Sequence, residues 1–131
     1  MSIVNLKGYR VSELQFVNKL ENGTRVELGN KYNYSVNYSD SNVCRGEFSM
    51  EVADKEDSSR FGIRAVVVGI FDFDPQQEKE RIHVQTFKEL FPYVRALITT
   101  VTANCGIPPV TIPSIDIDGQ EIYRFEKNNG I

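Results

Sequence analysis

The sequence predicts an α+β fold: a four-stranded, largely antiparallel sheet with one long helix packed on it and a short segment after the helix. Three observations predict it. Two stretches, Tyr32 to Tyr38 and Gly46 to Val52, alternate apolar and polar residues with a period of two, and a third apolar stretch runs from Phe61 to Phe73. Short polar turns separate them. Then Phe87, Leu90, Phe91, Val94, Leu97, Ile98, Val101 and Cys105 fall on one broad stripe at helical spacing. The 131 residues suffice for a single domain, 1–131, able to bury a core without disulfide or metal.

In chain order, Ile3 to about Phe16 is extended but patterns less cleanly than the later strands. Val17 to Asn30, with Gly23 and Gly29, is too long for a tight hairpin and predicts a crossing loop. Tyr32, Tyr34, Val36 and Tyr38 then share one strand face. Ser39-Asp40-Ser41-Asn42 is turn chemistry. Gly46, Phe48, Met50 and Val52 form the next face, and Asp54 to Ser59 the next turn. Short turns between strands imply antiparallel pairing.

The Phe61–Phe73 strand is apolar at its odd positions and also at Val66, Val68 and Ile70. Such a strand must be covered on both faces. One helix covers only one face, so a second subunit is expected on the other. The helix itself has Thr86 and Glu89 at capping-box spacing, and Gly106 with Pro108 and Pro109 as a stop. Pro92 lies inside the pattern and predicts either a kink or a fresh start there. After Thr111 the tail alternates weakly (Ile112, Ile115, Ile117), breaks at Asp118-Gly119 and ends in a short segment from Gln120 to Phe125.

Apolar residues at 40% and charged residues at 25% exclude disorder and membrane insertion, and the longest apolar run, Ala65 to Phe71, falls far short of the roughly 20 residues of a spanning helix. A net charge of −3 argues against nucleic acid as the main partner. No glycine motif cradles phosphates, so no nucleotide cofactor is expected. Cys44 and Cys105, without CxxC or a nearby histidine, read as buried, inert thiols, and no metal is expected. Asp116-Ile117-Asp118-Gly119 reads as a turn rather than a calcium loop. Asp72 and Asp74 share a face as either a carboxylate pair or solvated turn acids, with Pro75 favouring the turn. His83 is either a general base or part of the solvated face begun by Glu78-Lys79-Glu80-Arg81. The N-terminus lacks the build of a signal peptide, so a cytoplasmic protein is expected and the Asn22, Asn33 and Asn37 sequons are chance matches.

At Leu90-Phe91-Pro92-Tyr93-Val94-Arg95 the sequence resembles the SecB family of protein-export chaperones. Gly106-Ile107-Pro108-Pro109-Val110 matches the family's ending of its long helix, Gly69-Ile70-Phe71 the end of its last strand, and Tyr9 to Phe16 its first strand. The resemblance implies a SecB-like sheet and helix assembled as a dimer of dimers. It also implies an ATP-independent holdase that binds unfolded or precursor polypeptides in apolar grooves beside the helix and under the crossover. Candidate groove residues are Phe16, Val17, Leu20, Val26 and Leu28 on the crossover side, with Phe71, Phe91 and Tyr93 from strand and helix; each has core filling as its alternative.

SecB proteins dock the SecA motor through acids on the outer sheet face. Here Glu13 matches one of them and is the candidate partner-docking residue, but Val17 stands at the second position. Arg64 reverses the charge of the acid before Gly69-Ile70-Phe71, and the family's crossover tryptophan is missing. These departures argue against SecA docking and leave open a SecB-like protein serving one dedicated partner, such as an antitoxin-type client.

Overall fold

The computed structural model of the chain describes residues 3–112. Four strands, β1 (Val4–Asn18), β2 (Leu28–Tyr38), β3 (Val43–Asp54) and β4 (Phe61–Phe73), form one antiparallel sheet in the order β1-β4-β3-β2. Helix α1 (Lys79–Ala103) packs on one face of it. This is the predicted α+β architecture. The expectations for Ile115, Ile117, the Asp116–Gly119 turn and the Gln120–Phe125 segment lie outside the described residues.

The period of two decides which side chains meet the helix. On β2, Tyr34 is buried and Tyr32, Val36 and Tyr38 are half-buried, while Asn33, Ser35 and Asn37 are exposed. On β3, Cys44, Phe48, Met50 and Val52 are buried. These residues meet Ile63, Ala65, Val67 and Phe71 of β4 and Ile82, Phe87, Leu90, Val94 and Ile98 of α1 in one core. Phe48, Phe87 and Phe91 stack at its centre, with ring centroids 5.1 to 5.7 Å apart, and each such ring contributes about 1.5–3 kcal/mol by leaving water. The β2–β3 turn is closed by Asn42, whose φ of 62° asparagine tolerates, and by Ser39, whose N–H and hydroxyl both donate to the Val43 carbonyl at 2.9 and 2.8 Å. At the β3–β4 turn the buried Asp54 carboxylate accepts from Arg60 Nε at 2.6 Å and Glu56 N–H at 3.0 Å.

β1 patterns poorly in sequence because its register against β4 shifts twice, between Leu6 and Gly8 and between Val11 and Glu13. Each shift adds one residue to the edge strand and bends it. They keep Leu6, Tyr9, Val11, Leu14 and Phe16 opposite Phe71, Gly69, Val67, Ala65 and Ile63, all on the helix side of β4.

The expectation for β4 needs correction. Val66 and Val68, on the face away from α1, are buried within the single chain. Their register neighbours are Glu13 and Ser49 for Val66, and Arg10 and Glu47 for Val68, so the stems of polar side chains flank them. Of the three apolar residues on that face only Ile70 stays exposed. β4 therefore makes no demand for a second subunit. The uncovered apolar row lies elsewhere, on the helix side of β1, where Tyr9, Val11 and Leu14 are 50%, 42% and 43% exposed.

α1 also starts earlier than its capping-box spacing suggests. Its N-cap is Glu78, without a side-chain cap, and the charged run Lys79–Arg81 forms an exposed first turn before the buried Ile82. Thr86 is thus interior, and its hydroxyl donates to the His83 carbonyl at 3.0 Å instead of capping. The helix runs unbroken through Pro92, which is exposed, for 25 residues or about 37 Å. It ends before Cys105, which is exposed rather than buried, whereas burial at Cys44 pushes that thiol up to about 11 and leaves it protonated at neutral pH.

Candidate functional site

Because β1 and β2 are opposite edges of the sheet, the chain between them, residues 19–27, must cross the end of the sheet. Both ends of this crossover are tied to the β3–β4 turn. Lys19 N–H donates to the Arg60 carbonyl at 2.7 Å, and Lys55 N–H to the Glu27 carbonyl at 2.9 Å, with Lys55 Nζ on the Glu27 carboxylate at 2.9 Å. Between these anchors the crossover turns tightly at Gly23, with φ of 81° and Thr24 N–H on the Glu21 carbonyl at 3.1 Å.

A second wall comes from the far end of α1. Gly106, with φ of 79°, reverses the chain, and residues 107–112 return along the helix to the buried Ile112. The crossover and this returning segment enclose a cavity of about 440 Å³. Leu20, Val26 and Leu28 line it from one side, Ile107, Pro108 and Val110 from the other, with Phe61 of β4 between them. Glu21 is the one charged residue among its described lining residues. Asn18, Asn22 and Thr24 complete its polar side, and its size is that of an ordinary ligand pocket.

Three of the eight expected groove residues, Leu20, Val26 and Leu28, line this cavity. Phe16 stands behind it, half-buried and edge-on to Phe61 at 5.7 Å. The others are elsewhere. Phe71 is fully enclosed and Phe91 buried, so both belong to the core. Val17 points to the opposite sheet face, where it lines a shallow depression with Gln15, Gly62 and Arg64. Tyr93, 42% exposed, leans on Tyr9 with ring centroids 4.4 Å apart and so joins the uncovered row of β1. Ile107, Pro108 and Val110 read in sequence only as a helix stop; their signal was three apolar residues placed where a solvated loop needs none.

The outer face of the sheet is electrically self-matched. Glu13 accepts from Arg64 Nε at 2.9 Å and from Gln15 Nε2 at 3.1 Å. Arg45 pairs with Glu47 at 3.2 Å, Lys31 with Glu51 at 3.3 Å and Lys7 with Asp72 at 3.7 Å. Asp74 accepts from the Gln76 N–H at 3.0 Å, the geometry of a turn acid, so Asp72 and Asp74 have separate partners. His83 is half-buried beside Tyr34, with ring centroids 5.1 Å apart, and burial holds its imidazole below its usual pKa.

A family model described as preprotein translocase subunit SecB matches residues 15–129. The chain belongs to the SecB family. Among SecB relatives, the protein-export protein SecB of Caulobacter vibrioides is 33% identical over 78 residues, covering 57% of this chain and 47% of that protein. An uncharacterized protein of Methanocaldococcus jannaschii is 67% identical over 30 residues, 23% of this chain and 19% of that one. These matches take in less than half of either relative's own length. Among solved structures, the SecB-like chaperone of Mycobacterium tuberculosis, in complex with a peptide from an antitoxin, superposes with a TM-score of 0.68 at 13% identity. That match covers 86% of this chain and 90% of the other, and it shows the shared SecB fold. No helix among the described residues is long and apolar enough to cross a membrane.

Proposed function

We propose that this SecB-family chain is an ATP-independent holdase that keeps non-native polypeptides, precursors among them, soluble by taking their apolar side chains into the cavity between the crossover and the returning segment. The observation that carries this reading is the cavity itself: about 440 Å³, walled by Leu20, Val26, Leu28, Ile107, Pro108 and Val110 with one carboxylate at Glu21. Each aliphatic side chain transferred into it gains about 1.5–3 kcal/mol. A few such transfers give only weak binding at one cavity. Assembly as a dimer of dimers presents several cavities to one client and multiplies the affinity without new contacts. The exposed row of Tyr9, Val11 and Leu14 on β1, an edge strand among the described residues, with Tyr93 of α1 against Tyr9, supports a second copy of this chain as its cover. The reading places the protein in the cytoplasm and invokes no cofactor and no nucleic acid. Glu13 is the residue of the outer face proposed for a basic docking partner, but with Arg64 already on it SecA coupling is not part of the reading.

A second reading is a dedicated client rather than a general one, favoured by the antitoxin peptide held by the SecB-like neighbour of M. tuberculosis. One experiment separates them. Light scattering follows an unfolded, aggregation-prone protein diluted into buffer with this chain and no nucleotide. Suppression at near-stoichiometric amounts supports the holdase, and Leu20→Asp with Ile107→Asp should abolish it. Unhindered aggregation rejects the general holdase and leaves the dedicated binder.

A further inference from the structure

Both halves of the Val110 backbone are held by threonines of α1. Thr102 Oγ1 accepts from the Val110 N–H at 2.8 Å, and Thr99 Oγ1 donates to the Val110 carbonyl at 2.8 Å. Three residues apart, these threonines are neighbours on one helix face. Thr102 is completely buried, and its hydroxyl proton is committed to the Ile98 carbonyl at 2.8 Å, with the Thr99 carbonyl at 3.1 Å. Its lone pair is thereby presented to Val110. Further along, Arg95 Nε donates to the Ile112 carbonyl at 2.8 Å, so the returning segment runs antiparallel to the helix.

The side of an α-helix has no free backbone groups, because its N–H and C=O are spent within the helix. A segment laid along it can satisfy its own peptide groups there only through side chains. A hydroxyl both donates and accepts, so two threonines one turn apart supply what a neighbouring strand would supply. The Val110 side chain, and Ile107 and Pro108 before it, form the second wall of the cavity.

We propose that Thr99 and Thr102 are positioning residues for client binding: their hydroxyls pin the Val110 backbone to α1 and so hold the Ile107–Val110 wall at the spacing an apolar client side chain requires. This role rests on the client-site reading of the cavity. It acts through backbone placement, since in the present structure Val110, not the threonines, borders the cavity.

The test compares wild type with Thr99→Val, Thr102→Val and Thr102→Ser. Binding of a fluorescein-labelled synthetic peptide rich in Leu and Phe is measured by anisotropy, and amide exchange at Val110 and on β3 by NMR. The two valine variants are expected to bind the peptide about tenfold more weakly, the size of one hydrogen bond to a buried group. Val110 exchange is faster in Thr102→Val, which loses the acceptor of that N–H, β3 exchange is unchanged in both, and Thr102→Ser restores affinity and Val110 exchange. Faster Val110 exchange with unaltered affinity overturns the positioning role and leaves the client site standing. A serine variant as weak as the valine one also overturns it, because packing and not the hydroxyl would then matter. A wild-type chain that binds no peptide overturns the client-site reading itself, and the role with it. Should Thr102→Val fail to fold, Thr99→Val decides, since its bond to the Val110 carbonyl is only part-buried.

Discussion

Tyr34 Oη donates to Thr86 Oγ1 across 2.6 Å, linking the middle of β2 to α1 beneath the aromatic core. The same hydroxyl lies over Gly46 of β3, where a Cβ would fall well inside contact distance of it. β2, β3 and α1 are therefore locked at one point by a hydroxyl that needs a glycine beneath it.

Tyr34→Phe removes the donor and should cost about 1 kcal/mol of stability. Gly46→Ala forces the tyrosine ring aside and should cost about 1–3 kcal/mol. Because both act on one contact, the double variant should cost less than their sum. Urea denaturation of the four proteins checks this; additive losses would show that the glycine is needed for something other than the hydroxyl.

His83 predicts an acid-side loss of stability. Burial lowers its pKa in the folded state below the ordinary value of about 6.5. The unfolded chain therefore takes up a proton first as pH falls. The contribution is fully present above about pH 6.5 and is lost as pH falls from there through the folded-state value. Wild type should be less stable to urea at pH 5.5 than at pH 7.5, and His83→Gln should flatten the difference. An unchanged slope in the variant would place the titration elsewhere.

Glu13 and Arg64 are both partly exposed, and their 2.9 Å ion pair should matter little to stability. Glu13→Gln and Arg64→Gln should each shift the unfolding free energy by less than about 1 kcal/mol, and high salt should shrink the effect further. A loss of several kcal/mol would mean that the pair shields Val66 structurally, since Glu13 is that residue's register neighbour.

The second, third and fourth strands were legible because each has one partnered face and keeps a period of two or a continuous apolar run. The crossover was legible from its length and Gly23, but it is shorter than the expected Val17–Asn30: Val17 and Asn18 still pair in β1, and Leu28, Gly29 and Asn30 already pair in β2. β1 was legible as an extended stretch but its two faces were not, since two register shifts break its alternation. Phe71 and Phe91 could not be told from groove residues, because core and groove ask for the same side chains; only the packing of Phe91 between Phe48 and Phe87 decides. Half of the cavity was missed for a related reason. Gly106-Ile107-Pro108-Pro109-Val110 ends a helix whether or not the residues after it line anything. The uncovered surface was expected on β4, where flanking polar side chains cover the valines. A hydropathy pattern contains no neighbour list, and the neighbours of Val66 and Val68 come from β1 and β3.

The uncovered row on β1 leads to the last prediction. Tyr9, Val11 and Leu14 lie on the helix side of the sheet at its edge and stay exposed there, with Tyr93 of α1 resting on Tyr9. Beside them runs the outer edge of β1, which no other described strand pairs. A two-fold contact between copies would use each of these residues twice, once per partner, and would cover apolar row and edge together. A charge placed in the row should therefore act on assembly and not on folding, because the row is already exposed in the single chain. Light scattering after size exclusion should give a tetramer mass for wild type and a smaller species for Val11→Lys combined with Leu14→Lys, with an unchanged circular dichroism spectrum. Val17→Lys, equally exposed but on the opposite sheet face, should leave the mass unaltered. A double-lysine variant that keeps the wild-type mass would show that copies meet through another surface, and one that shifts together with Val17→Lys would show a general effect of added charge rather than a contact through β1.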